Sequence, residues 1–444
     1  MRPSSAGRTS RRVAADPARK AALDILAAAL SRKAGLEWAL DSPHVAALGP
    51  RDRAFARALA MAALRGLGPI DAALGARLSK PPPEPVRLIL RLGLADLAFM
   101  DTPDYAAVDS SVALAADDRA TRPFRGLVNA VLRRLAADAP LPIRDEDLAP
   151  AWLTARWRAA YGEASALAIA RRILGEPPTD LTPRDASESP ALAEAMSGEA
   201  LPGGSVRVTG KGRIEDWPGF VEGAWWVQDA AAAVPVRLLA VQPGEAALDL
   251  CAAPGGKALQ LAAAGAALVA VDRSAARLER LSRALARTGL GAETVAADAE
   301  TWSDSRDFDA VLLDAPCTSS GVFRRNPDVL WTLRPPDIAR LVGLQRRLLD
   351  AAARRTRPGG RLVYCVCSLE PEEGEDQARA FLERWPDFAL SPAAPGEVGA
   401  PAASLAAPGW LRILPHQLEG GLDGFFIARL RRREADVAAA ADAH

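Results

Sequence analysis

A chain of 444 residues is too long for one hydrophobic core and calls for two or three domains. Apolar residues at 49% and charged residues at 25% are ordinary for a globular protein, and no apolar run is long enough to span a bilayer, so no membrane is expected. A formal net charge of zero excludes a globally basic nucleic-acid binder, although all but five of the 55 basic residues are arginine, the side chain suited to forked phosphate contacts.

The first residues, RPSSAGRTSRR, lack the apolar centre of a secretory signal, and 1–11 read as a basic disordered arm. Residues 12–138 read as an all-helical domain. Asp16-Pro17 supplies an N-cap and a proline at the first helical position, and Leu23, Ile25, Leu26, Ala29 and Leu30 follow at helical spacing. Further helices are expected at 51–64, 70–78, 85–99, 106–117 and 124–135. Breaks at Gly66-Leu67-Gly68-Pro69, Pro81-Pro82-Pro83 and Thr102-Pro103 separate them, and connections this short suit a compact bundle. Arg125, Arg133 and Arg134, with Arg51, Arg53 and Arg57, supply a candidate basic face for an RNA backbone.

Residues 139–224 read as a small α+β module. A helix opens at Ala151-Trp152-Leu153 and runs toward Leu174, where Gly175-Glu176-Pro177-Pro178 ends it. Short strands are expected in SVRVTG and GRIED. From 225 to 432 strands and helices alternate: strands at 246–250, 267–271, 294–297, 310–313, 361–366 and 424–430, helices at 258–264, 275–287 and 336–355. That rhythm predicts a doubly wound, Rossmann-like α/β sheet. The segment 391–409 reads as a flexible loop and 433–444 as a disordered tail.

Acids end the strands of this last domain. CAAPGGK (Cys251, Ala252, Ala253, Pro254, Gly255, Gly256, Lys257) turns the first strand into a helix, with glycines that let a ligand approach the backbone. It is not GxGxxG, so the dinucleotide fingerprint is missing. Asp272 is placed for two ribose hydroxyls, which fits NAD and S-adenosylmethionine equally, and Asp298 for an adenine amino group. Asp314 closes the strand before Ala315-Pro316-Cys317. The four cysteines (Cys251, Cys317, Cys365, Cys367) form no disulfide framework and suit a reducing cytoplasm; the three histidines are scattered and offer a thiol no evident base. A four-thiolate zinc site is one reading of them. The preferred one has Cys317 and Cys367 approaching at adjacent strand ends above one pocket, with no metal.

LDLCAAPGGK, AVDRS, DAPCTSSGVFRRNPDVLW and VYCVCSLEPEE, in this order, closely resemble the NOL1/NOP2/Sun family of RNA cytosine-C5 methyltransferases. RILPHQLEGGLDGFFIARLRR is similar to that family's closing strand, while DSSVALAADD and FRGLVNAVLRRL resemble the antitermination factor NusB. The resemblance implies an S-adenosylmethionine-dependent enzyme, cytoplasmic and monomeric, acting on 16S ribosomal RNA or a small-subunit assembly intermediate. A tRNA methyltransferase and a catalytically silent RNA-binding assembly factor are the alternatives. It further implies that Cys367 is the nucleophile and that Cys317 assists product release, with Asp314 at the cytosine edge or the cofactor. The rival assignment makes Cys317 the nucleophile. Three departures stand out: Val366-Cys367-Ser368 replaces Thr-Cys-Ser, Thr182-Pro183-Arg184 stands where the family has an Arg-Val-Asn strand, and 391–409 matches no family feature.

Overall fold

The computed structural model describes residues 15–31, 35–210 and 212–434. The arm and the tail expected at the termini lie outside the described residues, apart from Arg433 and Glu434. The chain forms two compact units, Met1–Thr154 with Asn326–Thr332, and Ala155–Arg325 with Leu333–His444.

The first unit is helical, as expected. Pro17–Ala29 starts where the Asp16 carboxylate accepts from the Ala18 amide at 2.8 Å. Pro50–Arg65, Leu67–Gly75, Glu84–Phe99, Asp104–Asp117 and Arg125–Ala137 match the remaining expected helices. Two more, Gly35–Leu40 and Pro43–Ala46, were not legible, because at 6 and 4 residues they are too short to show an apolar period. Helix Glu84–Phe99 lies at the centre and buries Val86, Ile89, Leu90, Leu92 and Leu94. The arginines singled out for RNA, on helices Pro50–Arg65 and Arg125–Ala137, are all exposed.

In the second unit a four-stranded antiparallel sheet comes first: β1 (Thr179–Pro183), β2 (Glu199–Ala200), β3 (Val206–Val208) and β4 (Trp225–Val227), in the order β2-β3-β1-β4. Three expectations are corrected here. GRIED is no strand; Ile214–Asp216 is a single 3-10 turn. Thr182-Pro183 closes a strand despite the altered motif. Trp225 belongs to this module, not the next, because its ring is fully buried with Leu181, Val206 and Val208.

The large sheet holds β5 (Ala246–Leu250), β6 (Ala267–Asp272), β7 (Glu293–Ala296), β8 (Phe308–Asp314), β9 (Thr356–Val366), β10 (Phe388–Leu390), β11 (Leu405–Ala406), β12 (Trp410–Ile413) and β13 (Phe425–Arg432). Strands β7-β6-β5-β8-β9 are parallel; β13, β12 and β11 continue the sheet antiparallel, and β10 pairs with β13. Alternation sets the two faces. Leu248, Leu250, Val311, Leu313, Leu362, Tyr364 and Val366 pack with helix Pro335–Arg355, whereas Ala247, Ala310, Leu312, Val363 and Cys365 pack on the face of helices Ala230–Leu239 and Gly256–Ala263. Chain order reverses between β5 and β8, so a ligand crevice is expected beyond their carboxyl ends. The 391–409 segment is packed rather than loose: Ala393, Ala400 and Ser404 are buried, and Glu397 pairs with Arg429 at 2.7 Å. Among the described residues no single helix is long and apolar enough to cross a membrane.

Buried charges tie the two sheets together. Asp180 of β1 takes a forked contact from Arg207 of β3 at 2.8 and 2.9 Å and accepts from the Ala230 amide at 3.0 Å. Close by, Asp229 accepts from Arg325 at 2.8 Å, and Asp423 lies 3.4 Å from the Arg325 Nε. Burial first, then the Asp229 carboxylate, pushes the Asp423 carboxyl up to about 7 against the pull of Arg325 and Arg324. A carboxyl raised in the folded state binds its proton more tightly there than in the unfolded chain. Its contribution to stability is therefore full below about pH 4, the unfolded carboxylate range, and is lost as pH rises through the folded value. Asp423→Asn is expected to flatten the change in urea midpoint between about pH 5 and pH 8 relative to wild type. An unaltered pH dependence would contradict this reading of the cluster.

Candidate active site at the ends of the parallel strands

Strand β5 ends abruptly because Cys251 takes a left-handed conformation, φ 66°. The turn is then pinned to β6, with the Ala252 amide donating to Val271 O at 3.0 Å and the Ala253 amide to Asp272 Oδ2 at 3.1 Å. Ala252 and Ala253 are buried, while Pro254 is exposed. Gly255 has φ 121°, and a Cβ there would lie 2.6 Å from Leu281 Cδ1. Its glycine is therefore required by backbone and packing. A Cβ at Gly256 would meet Gln228 at 3.3 Å. Lys257, in the first turn of helix Gly256–Ala263, sends Nζ to Asp314 Oδ2 at 2.8 Å, across the switch between β5 and β8.

The acids occupy the expected strand ends. Asp272 is almost wholly buried and also accepts from the Ser274 amide at 2.8 Å. Asp298 is exposed and accepts from the Glu300 amide at 2.9 Å. One further acid was missed: Asp249, mid-strand in β5, is fully buried with neither carboxylate oxygen hydrogen-bonded. Burial, then the nearby Asp314 charge, raises its carboxyl well above the usual range. An acid inside a strand that otherwise reads as apolar was the available signal.

Strands β8 and β9 carry the thiols. Their register sets Asp314 beside Cys365, the Ala315 amide donates to Cys365 O at 3.0 Å, and Cys365 Sγ lies 3.5 Å from Asp314 Oδ1. Cys365 itself is buried, and its thiol is pushed up by burial and by the Asp314 charge. Two residues on, Cys367 packs on the same face and meets Cys317, with sulfurs 3.4 Å apart. The Cys367 contact first, then burial, then the charge of Glu373 raise the Cys317 thiol well above its ordinary value, so Cys317 keeps its proton. Lys257, by contrast, stays firmly charged: burial is the largest single influence and opposes its charge, but the Asp314 charge and hydrogen bond, together with Cys365 and Cys367, outweigh it. Val366 faces the other side of the sheet, in the core, so the hydroxyl lost there is not missed at the thiols. Among the described residues no three His, Cys, Asp or Glu side chains gather as a metal site.

The cysteine loop is held against the sheet edge by a backbone contact. Gly321 donates to Cys367 O at 3.0 Å, and Gly424 donates to Gly321 O at 2.8 Å. A Cβ on Gly321 would sit 2.1 Å from Gly424 O, and backbone cannot yield as a flexible side chain does. Gly321→Ala is expected to push the two thiols apart and lower turnover by about 100-fold, as misplacement near 1 Å does elsewhere. Wild-type turnover in that variant would show that the loop position is not critical.

Comparison with known proteins gives a consistent result. Residues 236–431 match the family model described as 16S rRNA methyltransferase RsmB/F, and residues 16–137 match the NusB family. Ribosomal RNA small subunit methyltransferase B of Xanthomonas campestris pv. campestris is 37% identical over 93% of this chain and 96% of its own length. The protein of the same name from Vibrio cholerae serotype O1 is 35% identical over 86% of this chain and 90% of its own. Among solved structures, that of PH0851 aligns with a TM-score of 0.74 at 26% identity, covering 95% of this chain and all of its own.

Proposed function

The chain belongs to the 16S rRNA methyltransferase RsmB/F family, with a NusB-family domain ahead of an S-adenosylmethionine-dependent catalytic domain, and on that premise we propose how its residues methylate C5 of a cytosine in 16S ribosomal RNA. The observation that carries the proposal is the 3.4 Å approach of the Cys317 and Cys367 sulfurs just beyond the ends of β8 and β9.

The donor set suits the cofactor. Asp272, Asp298 and Asp314 outnumber Lys257 and Arg277, which favours a ligand carrying positive charge and hydroxyl and amino donors. Asp272 would take the ribose hydroxyls, Asp298 the adenine amino group, and the turn from Cys251 through Ala252, Ala253, Pro254, Gly255 and Gly256 to Lys257 the amino-acid end. When bound, S-adenosylmethionine supplies an electrophilic methyl group.

Cytosine C5 is a poor nucleophile. The Cys367 sulfur adds at C6, forming an S–C6 bond and moving the ring's electron pair onto C5. A nucleophilic cysteine must act as thiolate, and the Cys367 contact and burial hold the Cys317 thiol well above its ordinary value. The Lys257 ammonium lies within electrostatic reach of Cys367. After C5 has received its methyl group, a base takes the C5 proton, the C–H electron pair re-forms the C5–C6 double bond and the S–C6 bond breaks, its pair returning to the Cys367 sulfur. Cys317 assists that release from beside the departing sulfur. Asp314 spans both halves of the site, one oxygen on Lys257 and the other toward Cys365, and holds the cytosine edge. A paired cytosine has to be unstacked or offered single-stranded to reach this crevice. The exposed arginines of the NusB-family domain hold RNA backbone. The enzyme works in the cytoplasm as a monomer and needs no metal.

Incubation with methyl-labelled S-adenosylmethionine and unmethylated 16S RNA, followed by mapping of the label, tests the function. Label on C5 of a single cytosine is expected; label on tRNA alone, or none, contradicts it.

A further inference from the structure

Behind the two thiols lies a fully buried carboxylate that the mechanism does not use. Glu373 follows Cys367 by one short turn and is 0% exposed. Its Oε1 accepts from the Thr318 amide at 3.0 Å and from Gln345 Nε2 at 2.9 Å. Its Oε2 accepts from the Thr318 hydroxyl at 2.5 Å and from the Ser368 hydroxyl at 2.5 Å. Among the described residues no lysine or arginine pairs with it; hydrogen-bond donors alone compensate its burial.

Those donors have one thing in common. Thr318 is the residue after Cys317, and Ser368 is the residue after Cys367. Gln345, on helix Pro335–Arg355, bonds Pro316 O as well, at 2.9 Å, so the residue before Cys317 is also tied in. Tyr364 of β9 anchors the backbone of the clamp itself, donating to Glu373 O at 2.5 Å. The Thr318 and Ser368 hydroxyls also lie 3.1 Å apart. Neither loop is held to the other by side-chain packing alone: one carboxylate spans both.

We propose that Glu373 is a positioning residue that clamps the two cysteine loops together and so keeps Cys317 within reach of the sulfur to be released from C6. The proposal rests on the roles given above to Cys367 and Cys317. It assigns Glu373 no contact with RNA or cofactor. Without the clamp each loop can still fold and Cys367 can still add to C6, but Cys317 no longer stands where release needs it.

Glu373→Ala and Glu373→Gln are compared with Cys317→Ala for steady-state methylation, S-adenosylmethionine affinity by calorimetry, and covalent RNA that survives denaturing electrophoresis. Glu373→Ala is expected to bind S-adenosylmethionine as wild type does, to hold KM for RNA within about two-fold, and to lose about 100-fold in kcat, with covalent RNA accumulating as in Cys317→Ala. Glu373→Gln has the same shape, and the two hydroxyls can turn to accept from its amide, so it is expected to recover part of kcat and to accumulate less covalent RNA. If Glu373→Ala fails to fold, Glu373→Gln is read in its place: reduced kcat with unchanged KM supports the clamp. Wild-type kcat, or a kcat loss without covalent RNA while Cys317→Ala does accumulate it, overturns the proposal. Failure of the underlying reading is seen separately, as absence of covalent RNA in Cys317→Ala. In that case the clamp stands or falls on the kcat and KM of the Glu373 variants alone.

Discussion

Replacing Cys367 by alanine is expected to abolish methyl transfer, by about 10⁴-fold or more, and to leave no covalent RNA; replacing Cys317 is expected to slow turnover and cause covalent RNA to accumulate. The asymmetry follows from the two environments. Both sulfurs sit at strand ends, 3.4 Å apart, and both are partly buried. The Cys317 thiol is driven upward, by the Cys367 contact, burial and the Glu373 charge. A sulfur that keeps its proton is a poor nucleophile and a good partner for a later step. Electrophoresis of each variant with RNA under denaturing conditions reads the result. Covalent RNA in Cys367→Ala and none in Cys317→Ala would reverse the assignment.

The second large effect is expected at Asp314. Asp314→Ala should lower kcat/KM by about 10²–10³-fold and weaken S-adenosylmethionine binding, because one side chain serves both the base and the cofactor side of the crevice. It also strands the Lys257 ammonium, whose side chain is 10% exposed and whose ion pair is 2.8 Å long. Leaving one partner of a largely buried pair uncompensated costs about 3 kcal/mol of stability. Asp314→Asn keeps a hydrogen-bond acceptor for Lys257 and should lose less stability while still losing catalysis. Kinetics and urea midpoints of the two variants, side by side, separate the roles. Equal catalysis in Asp314→Asn and wild type would show that the negative charge is not needed.

Much of this site was legible because parallel-sheet chemistry collects at strand ends. Asp272, Asp298 and Asp314 each follow a short apolar run, and the alternation through Val363, Cys365 and Cys367 puts two thiols on one face. The helical domain was legible for a similar reason, since its longer helices bury regular apolar stripes. What was missed lacks such periodicity. Strands β10, β11 and β12 have 3, 2 and 4 residues; β10 and β12 pair with β13, and β11 pairs with β12. GRIED was expected as a strand, yet Ile214–Asp216 forms a 3-10 turn, with Ile214 packed against the cluster that buries Trp225. The 391–409 segment looked loose from its Pro, Gly and Ser content, but Arg429 of β13 holds it through Glu397. Glu373 was hidden differently. It lies in EPEE, where nothing sets one glutamate apart, and only the fold reveals that four donors from three separate segments converge on it.

The account depends on which sulfur bonds the ring, and one measurement on the wild-type enzyme addresses it. With 5-fluorocytidine in place of cytidine in the RNA, C5 has no proton to lose after methylation, so the covalent complex persists. Proteolysis and mass spectrometry of that complex then identify the modified peptide. A nucleotide carried on Cys367 is the result predicted here; a nucleotide carried on Cys317 would contradict it.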